Sequence, residues 1–179
     1  LLAEATPVLK PVYLTPTFAV APALSAEDIA DAARRGFKSI LSNLPDGEDE
    51  SLLSARAEAA TAWRAGLKFR HVPAPKHDVF TDEVVEAMAD AVAGLEGPVL
   101  AHCKSGQRSA IVWAAASARS QTVDCVLDAL QAAGFDFAFL RDELEAQADR
   151  KRWLGTPAEA LDCGCPEPVD LDIARTVAA

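Results

Sequence analysis

The sequence predicts an α/β domain: a central, mostly parallel sheet flanked by helices. Short apolar runs alternate with stretches of helical period along the chain, the order expected of such a fold. Half of the 179 residues are hydrophobic, enough for one ordinary domain with a buried core. The third observation is a junction. The apolar run Gly97–Ala101 leads into the polar stretch His102-Cys103-Lys104-Ser105-Gly106-Gln107-Arg108-Ser109, and a helical pattern, Ala110–Ala116, leads out of it.

The elements follow in order. Val8 to Val20 reads as one or two strands, with Val12, Leu14, Phe18 and Val20 among the apolar positions. Ser25 is a helix N-cap followed by Glu27 and Asp28, and Ile29, Ala32, Ala33 and Phe37 recur at helical spacing until Gly36 ends the helix. Ser39–Ser42 is a short buried strand. Asn43 to Glu50 is an acidic loop with a Pro-Asp-Gly turn, read as solvated. A helix is expected from about Ser51 to Ala65, with Gly66 as its stop, and a strand from Lys68 to Pro73. Residues 74–80 form a loop holding His77 and Asp78. Thr81 starts the next helix, with Val85, Met88, Ala89 and Val92 as its apolar stripe. After the helix from Ser109, two more helical patterns cover Val123–Ala133 and Phe137–Ala148. Residues 1–150 read as one catalytic domain. Residues 151–179, with Cys163-Gly-Cys165-Pro166 and no clear period, read as a C-terminal extension or linker.

The junction carries the chemistry. Cys103 ends a buried strand just before a helix N-terminus, where backbone N–H groups lack intrahelical partners and the helix dipole favours negative charge. Such a setting beside an arginine lowers a thiol pKa and makes a nucleophile. Arg108 has a planar fork suited to two oxygens of an oxyanion. Lys104, Ser105, Gly106 and Gln107 complete the loop. Gly106 allows its backbone to approach a ligand, Lys104 adds charge at the mouth or is simply solvated, and Ser109 either donates to the Cys103 thiolate or caps the helix. His102 either orients the loop by a hydrogen bond or is a satisfied buried histidine. Asp78 is either a general acid or a loop residue next to a helix start. His71 and His77 have no partners at metal-ligand spacing, and no metal or cofactor is expected.

A net charge of −10 argues against nucleic-acid binding, and no stretch has the length of a transmembrane helix. The first residues lack the pattern of a signal peptide, and the four cysteines do not make a secreted disulfide framework, so a reducing cytoplasm is expected. The chain does not begin with Met, which leaves fusion to another domain open.

His-Cys-x-x-Gly…Arg-Ser-Ala resembles the phosphate-binding loop of dual-specificity and tyrosine phosphatases. There five residues separate Cys from Arg; here four do, the spacing of rhodanese-type sulfurtransferases. Residues from about Val12 to Glu145 resemble the phosphatase-like domain of the beta-lactamase hydrolase-like proteins, a bacterial group often described as sulfur transferases. The matching stretches are Phe18-Ala19-Val20-Ala21-Pro22, Gly36–Ile40, Asn43-Leu44-Pro45-Asp46-Gly47-Glu48, Phe69–Pro73 and Pro98–Cys103, with Leu44 where that family usually has Arg. The resemblance implies a dual-specificity-phosphatase-like three-layer fold carrying a rhodanese-length loop. From it follow two enzymatic expectations. The first is a sulfurtransferase working through a Cys103 persulfide, between a small-molecule or protein sulfur donor and a thiol acceptor. The second is a phosphatase working through a phosphocysteine on a phosphorylated substrate, with Asp78 as acid. A non-catalytic redox-sensing or partner-binding domain is the third. Cys163 and Cys165 are read as sulfur acceptors, a reversible disulfide, metal ligands or incidental.

Overall fold

The computed structural model describes residues 9–154; Cys163, Cys165 and most of the extension lie outside the described residues. The strands are β1 (Val12–Thr15), β2 (Phe18–Ala21), β3 (Ser39–Ser42), β4 (Lys68–His71) and β5 (Val99–His102). They form one sheet in the order β1-β2-β5-β3-β4. Only the β1–β2 hairpin is antiparallel; β2, β5, β3 and β4 run parallel. The helices are α1 (Ala26–Arg34), α2 (Ala55–Arg64), α3 (Asp82–Gly94), α4 (Gln107–Ala118), α5 (Val123–Ala132) and α6 (Arg141–Leu154).

Alternation along each strand sorts the side chains onto two cores. Ala19, Ala21, Ile40 and Leu100 meet Ile29 and Ala32 of α1 and Ala62 of α2 on one face. Phe18, Val20, Leu41, Val99 and Ala101 meet α3, α4, α5 and α6 on the other, with Met88 and Trp113 buried among them. β2, β3 and β5 are covered on both faces, which is why they read as continuous apolar runs. α4 is buried almost all round; its small residues let α3, α5 and α6 pack close to it.

Several boundaries differ from expectation. α2 starts at Ala55, capped by Ser54, because Asp49 takes the Ser51 N–H and hydroxyl into a local turn. The Thr81 side chain makes no cap bond; its hydroxyl donates to the Asp78 carbonyl at 2.9 Å. α4 begins earlier, with Gly106 as its N-cap. The last pattern divides into a 3-10 turn, Ala138–Leu140, and α6, which runs on to Leu154 and so into the expected extension.

The topology positions the site. Parallel pairing aligns Ala21, His102, Ser42 and His71 at the carboxyl ends of four adjacent strands. The loops leaving β2, β5, β3 and β4 therefore emerge side by side, where ligands gather in open α/β sheets. They are stitched together by Ala23 N–H to Lys104 O (3.3 Å), Asn43 N–H to His102 O (2.8 Å) and Ala74 N–H to Asn43 O (3.1 Å).

Candidate active site

Cys103 lies in the turn between β5 and α4, a free thiol only 1% exposed. The Gly106 N–H donates to its Sγ at 3.1 Å. Gly106 reaches this position with φ +87°, and a Cβ there would sit 3.2 Å from the Ala21 backbone. Both the left-handed backbone and the close approach to β2 demand glycine. Thus the loop turns an N–H onto the sulfur at the positive end of α4.

Arg108, in the first turn of α4, is 9% exposed. Its Nη1 and Nη2 donate to Glu48 Oε2 and Oε1 at 2.9 and 2.7 Å, and Nη1 also donates to the Ala74 carbonyl at 3.1 Å. This fork grips a two-oxygen anion in the bidentate manner that Arg and carboxylate geometry favour. Lys104 pairs with Asp49 at 3.0 Å. The acidic loop was expected to be solvated; instead it lies over the cysteine loop, with one carboxylate on each of that loop's cations. Hydrogen bonds from Arg108 chiefly hold the Glu48 carboxyl below its ordinary range, against the effect of burial. Asp49 is pushed down to about 2, first by the Ser51 hydroxyl and then by Lys104.

His102 is fully buried, and its Nε2–H donates to Glu58 on α2 at 3.2 Å, so its side chain holds a helix and not the loop. Its Nδ1 and the Ser109 hydroxyl are both buried without a hydrogen-bond partner. Ser109 thus makes neither a cap bond nor a bond to Cys103. Ser105 and Gln107 are exposed. Asp78 is exposed in the loop after β4 and lines a cleft of about 520 Å³ together with His71, Pro73, Thr81 and Glu83. Cys103 and Arg108 do not line that cleft, although its loop supplies the Ala74 carbonyl to Arg108. His71 donates to the Leu44 carbonyl at 2.9 Å, and His77 is exposed. Among the described residues no group of three or more His, Cys, Asp or Glu is placed to hold a metal, and no helix is long and apolar enough to cross a membrane. Cys125 on α5 is disulfide-bonded.

Glu58 is the residue the sequence did not single out, and Glu48 was read only as part of a solvated acidic loop. Glu48 is reachable only once β3 and β5 are known to be neighbours. Glu58 sits in an alanine-rich helix whose charged residues look like a solvated face, and its partner is 44 residues away.

Residues 12–120 match the family model described as beta-lactamase hydrolase-like protein, phosphatase-like domain. The chain belongs to this family. It is 36% identical over 106 residues to the beta-lactamase hydrolase-like protein of Xylella fastidiosa strain Temecula1, covering 59% of this chain and 24% of that one. It is 32% identical over 124 residues to that of Agrobacterium fabrum, covering 68% and 28%. The chain therefore spans about a quarter of the length of the curated relatives it matches. A crystal structure of a candidate phosphatase from Neisseria meningitidis is 29% identical, with a TM-score of 0.65 over 76% of this chain and 96% of that one. Kinase associated phosphatase, solved with its catalytic cysteine replaced by serine, shares the fold at 16% identity, with a TM-score of 0.61 over 83% and 98%. The family's dual-specificity and tyrosine phosphatase-like fold is thus the fold of this chain.

Proposed function

We propose that the domain is a cysteine-dependent phosphatase. The observation that carries this reading is the Arg108 fork, which holds both oxygens of the Glu48 carboxylate five residues after a buried thiol whose loop directs an N–H at the sulfur. In this mechanism the Cys103 thiolate attacks phosphorus, and the ester P–O bond breaks. The leaving oxygen takes a proton from Asp78. Water then attacks the phosphocysteine, passes a proton to Asp78, and releases inorganic phosphate and the thiolate. Arg108 and the N-terminal N–H groups of α4 stabilise the charge on the phosphoryl oxygens. Structural kinship to phosphatases supports this order, which reverses the one suggested by loop length alone.

One observation favours a second reading, the sulfurtransferase. Four residues, not five, separate Cys103 from Arg108, and the loop closes tightly enough for the Gly106 N–H to touch the sulfur. A ring of that size suits one sulfur atom. Here the thiolate attacks the sulfane sulfur of thiosulfate, the S–S bond breaks, and sulfite leaves with the electron pair. An acceptor thiolate then attacks the terminal sulfur of the Cys103 persulfide and frees the cysteine thiolate.

Intact mass after rapid quenching separates the two. With an aryl phosphate the expected adduct is a phosphoryl group on Cys103, absent in Cys103→Ser, with phosphate released catalytically. A gain of one sulfur from thiosulfate, with no phosphate release from any aryl ester, puts the sulfurtransferase first. Retention of most activity by Cys103→Ser removes the nucleophile from both schemes.

A further inference from the structure

The cations of the cysteine loop already hold carboxylates. Arg108 spends two N–H groups on Glu48, and Lys104 is paired with Asp49. Both acids belong to the loop between β3 and α2. That loop is held as a unit: Asp46 accepts from the Ala55 N–H at 2.7 Å, and Asp49 accepts from the Ser51 N–H and hydroxyl at 3.0 and 2.6 Å. It is also a surface loop, with no buried side chain from Pro45 to Ser54. Its bonds to Arg108 and Lys104 are polar and can be replaced by water or another anion, while Leu53 packs against the core.

We propose that Glu48 is a tethered competitor for the Nη1–Nη2 seat of Arg108, and that a substrate oxyanion takes that seat by displacing it. This deepens the phosphatase reading and rests on Arg108 receiving the substrate's oxyanion. The geometry fits a stand-in. The Glu48 carboxylate presents two oxygens to Nη1 and Nη2, as a phosphoryl or sulfonate group does. A tethered group competes at a high effective concentration, on the order of millimolar or above for a short linker. A monoanion from solution gains no charge advantage over it. A dianion does, because displacement brings a second negative charge to Arg108, Lys104 and the α4 N-terminus. The site is thereby set to accept terminal dianionic groups such as phosphomonoesters and to refuse carboxylates and phosphodiesters.

A group that only positions Arg108 predicts the opposite response to its removal, and the test uses that. Binding of inorganic sulfate is measured by calorimetry for the wild type, Glu48→Gln, Glu48→Ala, Arg108→Ala and the double variant Glu48→Gln/Arg108→Ala. No turnover is needed. Glu48→Gln and Glu48→Ala are expected to bind sulfate on the order of tenfold tighter than the wild type, the scale of releasing a partly buried ion pair. The double variant loses that gain. The alanine variant covers the case where glutamine keeps one bond to Arg108. If both Glu48 variants bind sulfate no tighter than the wild type while Arg108→Ala loses it, the proposal is overturned and Arg108 keeps its role. Should Arg108→Ala bind sulfate as the wild type does, both the proposal and the oxyanion reading of Arg108 fall.

Discussion

α4 carries an arginine at each end, and the two are buried alike, Arg108 at 9% and Arg119 at 8% exposed. Their surroundings differ in kind. Arg119 is the C-cap, where a cation complements the negative end of the helix dipole. Its Nε and Nη2 donate to Gln147 of α6 at 3.1 and 2.8 Å, and its other bonds go to Asp82 and Glu86 of α3. Every partner stands on a packed helix. Arg108 sits at the positive end, against the dipole, and its side-chain partners are a loop carboxylate and a loop carbonyl. A cation held against the dipole, on loop partners, fits the catalytic role proposed for Arg108. One held with the dipole, on packed helices, fits a structural role. Burial and residue type alone do not separate them.

The largest effect expected from breaking this comparison is at Arg108. Arg108→Ala should lower kcat with an aryl phosphate at least about a hundredfold, the scale of losing one positioned oxyanion donor. Arg108→Lys should fall nearly as far, because an ammonium cannot hold two oxygens in one plane. The thermal midpoint should hardly change. The lost pair with Glu48 is offset by removing a cation from the positive end of a helix, about 0.3–1 kcal/mol for such end charges. A lysine variant as fast as the wild type, or a collapse of the midpoint, would place Arg108 with Arg119.

The converse is expected at the other end. Arg119→Ala strips Gln147 Oε1 of both donors in a fully buried site, a loss of about 1–3 kcal/mol. Asp82 and Glu86 are half exposed and add little. With the dipole contribution the total is roughly 1.5–4 kcal/mol, a drop on the order of 3–15 °C in Tm. The rate per folded molecule should stay at the wild-type value. Loss of activity in protein still fully folded by near-ultraviolet circular dichroism would show that Arg119 acts on the site.

The two arginines also mark how much of the molecule was legible in its sequence. Arg108 was readable because its surroundings are local: a strand end, a glycine and a helix start lie within a few residues of Cys103. The sheet and most helices were readable for the same reason, since period and caps are local signals. Arg119 gave no signal, because its partners lie 28 to 37 residues away on other helices. Glu48 was seen and misjudged. An acidic run after a turn is normally solvated, and only the placement of β3 beside β5 brings this one onto Arg108. The start of α2 failed on a smaller point: Ser51 and Ser54 are both plausible caps, and the Asp49 side chain decides between them by occupying Ser51.

The smallest effect is a titration, and it tests the Arg108–Glu48 pair directly. Glu48 has its carboxyl held below the ordinary 4.5, first by the hydrogen bonds from Arg108. The sign follows from linkage. A carboxyl whose pKa is lower in the folded state contributes stability that is fully present above its unfolded value and is lost as pH falls through the folded one. Carbon-detected NMR of the side-chain carboxyls should therefore find Glu48 titrating below 4.5 in the wild type. In Arg108→Ala it should move up toward 4.5, since Lys76 and Lys104 remain only as weaker influences. In Arg119→Ala it should not move, because that arginine meets a different set of acids at the far end of α4. Asp49 serves as the internal control: its value of about 2 comes mainly from Ser51 and Lys104, so neither arginine variant should shift it far. A Glu48 titration unmoved by Arg108→Ala would mean the loop does not hold the fork in solution, and the contrast between the two ends of α4 would then rest on the helix dipole alone.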